Sequence, residues 1–160
     1  MKPLDLSDFI PYRLSVLANV VSTSLARAYG QRFGLSIPEW RVMAVLGQFP
    51  GISALEVGTR TAMDRVTVSR AVARLLAKRY LARRFSDTDK RRSELALSPA
   101  GEEIYREVVP VARAYERALI KALTPAQRLA LDDAMSCLQQ RAEALVASGF
   151  PGEGTAPGPS

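Results

Sequence analysis

The chain of 160 residues contains no histidine and a single cysteine, Cys137. The lack of histidine excludes catalytic triads with a histidine base and metal centres with imidazole ligands. One cysteine cannot form a disulfide within the chain. Its position beside Leu138 in a predicted helix indicates a small thiol buried in a subunit interface, with a redox sensor as the alternative. We expect no metal and no cofactor.

Long apolar runs are also absent, because Arg or Glu interrupts every candidate for the roughly 20 residues that a membrane span needs. Asp5 and Asp8 stand where a signal peptide would have an apolar centre. The sequence has no glycine-rich phosphate loop and no catalytic pair of carboxylates. We therefore expect a cytoplasmic protein that neither binds a membrane nor catalyses a reaction.

Positive charge is concentrated between Arg60 and Arg92. This stretch has 11 of the 22 Lys and Arg residues but only 3 of the 16 Asp and Glu residues, so its charge is +8 and that of the remainder is −2. A cationic field confined to one part of a chain is typical of a site for a polyanion, usually nucleic acid. A solvated basic face is the simpler alternative.

Two helices are predicted before the basic stretch. Apolar residues at steps of three and four mark one face of a helix over residues 11–32, which Gly34 ends. Ser36 and Glu39 have the spacing of a capping box, in which each side chain bonds the other residue's backbone N–H. They predict a second helix that continues to about Phe49.

Two short helices and a β-hairpin are predicted over the basic stretch and the residues on either side of it. A second capping box at Ser53 and Glu56 begins a helix that ends near Met63, and Asp64 is expected to cap the next one. After Tyr80 the period changes from 3.6 to 2, which predicts two short strands joined by a charged loop.

This order of elements is typical of a winged helix-turn-helix that binds DNA. The major groove is about 12 Å wide and accepts one helix, whose N-terminal residues reach the base edges. The second short helix has one apolar side and one side with hydroxyl and guanidinium groups. On that side we predict base or phosphate contacts by Arg65, Thr67, Ser69 and Arg70, and a phosphate contact by Arg74. At the hairpin tip we predict that Lys90, Arg91 and Arg92 follow the sugar-phosphate backbone or enter the minor groove.

Two further helices complete the predicted fold, which is mainly α: an α+β winged helix with six helices and a wing of two to three strands. Ser98-Pro99 begins the fifth helix, and Thr124 with Gln127 caps the last. The apolar stripes of the first and last helices are too long for a small DNA-binding domain to cover. They predict a dimerisation arm that pairs with a second copy.

Four segments are therefore expected along the chain. Residues 1–35 would form an N-terminal dimerisation helix, and residues 36–98 the winged helix-turn-helix domain. Residues 99–148 would form the C-terminal dimerisation helices. Residues 149–160 are rich in Gly and Pro, which predicts a disordered tail.

Over roughly Ser7–Ala147 the sequence resembles the MarR family of bacterial transcription regulators. The most specific match is in the wing, where Asp89 and Arg91 fit the family's Asp-x-Arg. Seven residues after that arginine, Ser98 replaces the Thr of Leu-Thr-x-x-Gly, and Gly101 is in place. The resemblance implies that Arg91 is the minor-groove arginine and that Asp89 orients it.

The run MDRVTVSRAVARLLAKRYL also resembles the recognition helix of the family. Tyr80 is a departure, because a glycine often closes this helix. Trp40 matches an aromatic position that is common in the second helix.

The resemblance also implies a homodimer that binds a palindromic operator in double-stranded DNA, as a repressor. It further implies release by a small anionic aromatic effector or its thioester, bound between the dimerisation arm and the DNA-binding domain. Candidate pocket residues are Tyr12, Arg13, Trp40 and Arg41. Core or dimer contacts for the aromatic residues, and surface ion pairs for the arginines, are the simpler alternatives.

Two other functions stay open from the sequence. The protein could be an architectural protein that coats DNA without regard to sequence, in which case footprints would be even along the DNA. It could also be a winged-helix module that binds another protein, in which case its partner would stay bound after Arg65, Arg70 and Arg91 are replaced by Ala.

Overall fold

The computed structural model describes residues 3–85 and 93–149, which form six helices and two strands. In chain order these are α1 (Ile10–Phe33), α2 (Ile37–Gln48), α3 (Ala54–Thr61), α4 (Arg65–Ala77), β1 (Leu81–Phe85), β2 (Ser93–Leu97), α5 (Pro99–Ile120) and α6 (Pro125–Ser148). The mainly helical winged-helix fold predicted from the sequence is confirmed.

Capping bonds begin the helices where the sequence predicts them. At the start of α2, a carboxylate oxygen of Glu39 accepts the Ser36 backbone N–H at 2.7 Å, and the Ser36 hydroxyl accepts the Glu39 N–H at 3.4 Å. Two further boxes of this kind begin α3 and α6, formed by Ser53 with Glu56 and by Thr124 with Gln127. Each box satisfies backbone donors that the first turn of a helix leaves free.

One apolar core lies between α2, α3, α4 and the wing. It includes Val42, Met43, Leu46, Val57, Val68, Val72, Leu75 and Leu95, all of which are buried. Because α4 contributes four buried residues to this core, its rotation about its own axis is fixed and its opposite side is turned to solvent.

The wing is an antiparallel hairpin in which Leu81 lies opposite Leu97 and Phe85 opposite Ser93. A single bridge adds the segment before α3: the Gly51 N–H donates to the Leu95 carbonyl, and the Leu95 N–H donates to the Ile52 carbonyl, both at 2.9 Å. The wing thus has two full strands and one bridging residue, within the predicted range of two to three strands. The bridge ties the hairpin to the start of α3.

Helices α1 and α6 keep most of their apolar residues exposed in the single chain. In α1 only Tyr29 is buried, whereas Leu14, Leu17 and Val20 are exposed. No residue of α6 is buried, and its exposed apolar residues include Leu129, Leu131, Met135 and Leu138. Cys137, predicted to be buried in an interface, is exposed in the single chain.

The chain divides into two compact units, Met1–Tyr115 and Glu116–Ser160. The four-segment organisation expected from the sequence stays a prediction. The expected disordered tail lies, apart from Gly149, outside the described residues. Across the described ranges, no helix has the length and hydropathy needed to cross a bilayer.

Candidate nucleic-acid interface

Helices α3 and α4 meet at a tight turn whose geometry depends on Ala62. This residue ends α3 in the left-handed region, with φ of 52°, and its N–H reaches back to the carbonyls of Gly58 and Thr59. The N–H of Met63 donates to the Gly58 carbonyl at 3.2 Å. Only three residues therefore separate the two helices, and α4 begins at once.

Asp64 caps α4 through Thr67. One carboxylate oxygen of Asp64 accepts the Thr67 N–H at 2.8 Å, and the other accepts the Thr67 hydroxyl at 2.5 Å. These two bonds hold the pKa of Asp64 below its usual range. The Thr67 hydroxyl thus donates its proton within the protein, so toward DNA it can act only as an acceptor.

The two sides of α4 differ in chemistry. Val68, Ala71, Val72 and Leu75 are buried in the core. The exposed side carries four of the predicted DNA contacts, Arg65, Ser69, Arg70 and Arg74. These side chains therefore share one solvent-facing surface, as the interpretation from the sequence requires.

Val66 is a further member of this surface that the sequence analysis did not single out. It is 57% exposed near the N-terminus of α4. Val66 lies four residues before Arg70, and residues at this spacing share one face of a helix. The sequence alone was therefore enough to place Val66 on this surface. An exposed apolar side chain at this position suits the methyl group of thymine.

Arg83 of β1 is the second residue that the sequence analysis missed. It is exposed, and it lines a cavity of about 620 Å³ together with Arg65 and Ser69 of α4. The first strand of the wing thus adds a guanidinium beside the N-terminal half of α4. The predicted contacts Lys90, Arg91 and Arg92, and the orienting residue Asp89, lie outside the described residues.

The remaining walls of this cavity are mainly apolar. They are formed by Ala54, Leu55, Gly58, Thr59, Met63, Val68 and Val72. The cavity therefore combines an apolar wall from α3 and α4 with two arginines at the surface that we predict to meet DNA.

Helix α4 ends in a Schellman motif with an arginine where glycine is usual. Arg79 has φ of 60°, its N–H donates to the Leu76 carbonyl, and the Tyr80 N–H donates to the Leu75 carbonyl, each at 2.9 Å. The left-handed residue is thus Arg79. Tyr80, the residue that departs from the family pattern in the sequence analysis, follows it.

Ser98 explains why the Leu-Ser-x-x-Gly pattern matters to this site. Its hydroxyl donates to the Arg79 carbonyl at 2.6 Å and accepts the Gly101 N–H at 3.0 Å. Its own N–H donates to the Tyr80 carbonyl at 3.0 Å. One serine therefore caps α5 and also fastens the C-terminal end of α4.

The four candidate pocket residues do not meet in one place within a single chain. Arg41 donates from Nη2 to the hydroxyl of Ser22 on α1 at 3.2 Å. Tyr12 and Arg13 are exposed on the same helix, ten and nine residues before Ser22 respectively, which is about 14 to 15 Å along the helix axis. A pocket that used all four residues would need additional side chains to close it.

Trp40 has aromatic neighbours on both sides. Its ring lies 5.7 Å from that of Tyr29 and 5.9 Å from that of Tyr105, with centroids as the reference points. This arrangement is typical of a packing cluster, the simpler of the two interpretations from the sequence. Among the residues described, no cluster of acidic or cysteine side chains could hold a metal ion.

A model of the MarR family matches residues 33–92, which contain α2, α3, α4 and β1, the first strand of the wing. Over these residues the chain is similar to the MarR family. Members of this family are transcription regulators and not enzymes, and this chain resembles them in sequence over residues 33–92 and in fold. Among curated proteins, no significant match was found.

Solved structures extend this similarity over most of the chain. A MarR/EmrR family transcriptional regulator from Acinetobacter sp. ADP1 is 25% identical, with a TM-score of 0.82 over 88% of this chain and 99% of that one. A probable transcriptional regulator from Pseudomonas aeruginosa is 27% identical, with a TM-score of 0.73 over 84% and 99%.

A third structure shares the fold. It is Bordetella bronchiseptica BpsR, whose DNA binding is regulated by 6-hydroxynicotinic acid. It is 23% identical to this chain, with a TM-score of 0.76 over 86% of this chain and 98% of that one.

Proposed function

We propose that this protein is a repressor of the MarR type, which binds a palindromic operator as a homodimer and is released by a small anionic aromatic ligand or its thioester. The observation that carries the proposal is the two-sided character of α4. Its buried side fixes the helix in the core, and its exposed side presents Arg65, Ser69 and Arg70 together. Arginine donates two parallel hydrogen bonds that match O6 and N7 of guanine, so this surface is suited to reading bases.

The exposed apolar faces of α1 and α6 support the homodimer. A monomer would leave Leu14, Leu17, Met135 and Leu138 in water, at a cost of about 25 cal/mol for each Å² of apolar surface. A second copy offers the same faces and covers them by symmetry. The two α4 helices would then lie one helical turn of DNA apart, about 34 Å, which requires an inverted repeat in the operator.

A footprint on the DNA upstream of the protein's own gene tests the proposal. We expect protection of one short inverted repeat, lost in Arg70→Ala and retained in the matched control Arg113→Ala, which removes an exposed arginine of α5. Even protection along the whole fragment would instead support an architectural DNA-coating protein.

Regulation of BpsR by an aromatic acid supports the effector part of the proposal. Two candidate places for such an effector are Arg41, near the Trp40 cluster, and Arg83, in the cavity beside α4. By linkage, an effector that weakens DNA binding tenfold must itself bind tenfold more weakly to the DNA complex.

The two places are distinguished by matched substitutions. The operator complex is titrated with 6-hydroxynicotinic acid and related aromatic acids, using wild type, Arg41→Met and Arg83→Met. Loss of the response only in Arg41→Met assigns the effector to the predicted pocket, and loss only in Arg83→Met assigns it to the cavity. An operator complex that no aromatic acid or thioester weakens would remove effector release from the proposal.

A further inference from the structure

Lys78 belongs to the basic stretch and its side chain is 35% exposed, but its ammonium is bonded to groups of the protein itself. It is the C-cap of α4. Its ammonium donates to a carboxylate oxygen of Glu39 at 2.7 Å and to the carbonyl of Gly34 at 2.8 Å. Gly34 is the residue that ends α1, so the C-terminal ends of α1 and α4 share one ammonium group.

Glu39 is the buried partner in this arrangement, only 2% exposed, and it is the one charged residue in the core of the described chain. One of its oxygens accepts the Lys78 ammonium, and the other accepts the Ser36 N–H at 2.7 Å. Burial by itself would raise the pKa of Glu39, but the bonds from Lys78 and Ser36 outweigh it and hold the pKa below its usual value. The carboxylate therefore stays ionised and holds its cation.

We infer that Lys78 and Glu39 are positioning residues, which set the angle of α4 against the junction of α1 and α2, and that Lys78 does not contact phosphate. The inference rests on the proposed DNA-binding surface of α4. All three neighbouring cations Arg74, Lys78 and Arg79 are exposed, but among the described residues only Lys78 of the three forms an ion pair.

The angle of α4 matters because its DNA-contacting residues lie far from Lys78. Arg65 is 13 residues away, about 20 Å along the helix, so a rotation of 5° about Lys78 would move it by about 1.7 Å. A displacement of that size breaks a bidentate hydrogen bond to a base, whose donor and acceptor must lie within about 3.2 Å. Apolar packing alone is non-directional, whereas the bonds of Lys78 fix one end of the helix.

Lys78 could either contact phosphate or position α4, and Glu39→Gln distinguishes these roles by whether it strengthens or weakens operator binding. This substitution removes a negative charge and no cation, so a phosphate-binding Lys78 would keep or increase its attraction to DNA. If the pair positions α4, Glu39→Gln instead weakens operator binding. We expect the ratio of operator affinity to random-sequence affinity to fall about tenfold, which is comparable to one mismatched base pair.

A matched control is available in the exposed pair of Arg32 and Glu107, whose charged atoms are 2.9 Å apart. Glu107→Gln makes the same chemical change and the same change in net charge on α5. We expect it to leave the affinity ratio as in wild type. Partial unfolding does not change the ratio of operator affinity to random-sequence affinity, because a loss of folded molecules lowers binding to both DNAs equally.

Two substitutions at Lys78 complete the test and do not depend on how well Glu39→Gln folds. Lys78→Met is expected to lower the affinity ratio while leaving the slope of log K against log salt unchanged, and Lys78→Arg to restore the ratio. A phosphate contact would instead lower the slope by about 0.9 in Lys78→Met and leave the ratio unchanged. The double variant Glu39→Gln with Lys78→Met should be no worse than either single variant, because both remove the same link.

The outcomes are distinguishable from failure of the proposed function. If wild type binds its operator and Glu39→Gln keeps the wild-type ratio, this inference is overturned and the proposed function stands. If wild type itself shows no preference for any DNA sequence, both are overturned.

Discussion

The backbone of Gly101 lies against the carbonyl of Tyr80, so closely that a β carbon at Gly101 would be 1.9 Å from the Tyr80 oxygen. The obstacle is backbone, which cannot rotate away as a side chain can. The first turn of α5 therefore packs on the end of α4 at a distance that only glycine permits. This contact gives a physical reason for the glycine of the Leu-Ser-x-x-Gly pattern.

We predict that Gly101→Ala destabilises the protein by about 3 kcal/mol, because α5 must move away from Tyr80 to make room for the methyl group. Urea unfolding at neutral pH measures the change. Gly30→Ala in α1 is the matched control, since the added carbon there would be 3.4 Å from its nearest neighbour, an ordinary contact. Equal stabilities of the two variants would show that the close approach at Gly101 is not a constraint.

Arg79→Gly is predicted to stabilise the protein by about 0.5 to 1 kcal/mol. A residue with a side chain adopts φ of 60° at a cost that glycine does not have, and the gain exceeds the extra freedom of glycine in the unfolded chain. Arg79→Ala removes the same side chain but keeps the β carbon, so it should give no gain. A gain of the same size in Arg79→Ala would mean that charge, and not backbone strain, is the cause.

Tyr29 is predicted to make the stability sensitive to alkaline pH. Burial raises the pKa of its hydroxyl to about 12, with a smaller opposing effect of Arg41. The unfolded-state pKa is about 10, so the native preference for the neutral phenol is fully present below pH 10 and is lost as the pH rises through 12. The loss amounts to about 2 to 3 kcal/mol.

The measurement compares wild type with Tyr29→Phe by urea unfolding between pH 9 and about 11.5. Phenylalanine cannot ionise, so the variant should show a shallower decline in the free energy of unfolding. Tyr12→Phe removes an exposed hydroxyl and should follow wild type. Parallel curves for all three proteins would show that the phenol of Tyr29 ionises as readily in the folded state as in the unfolded one.

Arg70 and Arg91 are predicted to contribute to DNA binding in different ways. Arg70→Ala should cost about 1 to 3 kcal/mol on the operator and relax the base preference at one position, because it removes a bidentate contact to a base edge. Arg91→Ala should weaken binding to all sequences alike and lower the salt slope by about 1. Arg70→Lys keeps the charge but not the planar guanidinium group with its two parallel donors. It should therefore lose the base preference, while the slope of log K against log salt stays unchanged. Equal losses for Arg70→Ala on operator and random DNA would refute the base-reading role.

Short-range patterns in the sequence determined where the capped helices begin and which side of α4 is buried. Ser53 with Glu56, and Thr124 with Gln127, bond each other three residues apart, so the spacing alone is sufficient to predict the caps. The same period placed Arg65 and Arg70 on the exposed side of α4. Asp89 and Arg91 of the wing tip are known only from the family motif and stay predictions.

The tertiary structure decided what depends on residues distant in the chain. The sequence indicates only that Glu39 is an ordinary capping residue, and the fold shows that it is buried and paired with Lys78, 39 residues away. The period of a helix shows which side is polar but not which polar group has an internal partner. For the same reason, the fold and not the sequence separates Tyr12 from Arg41, and brings Gly101 against Tyr80.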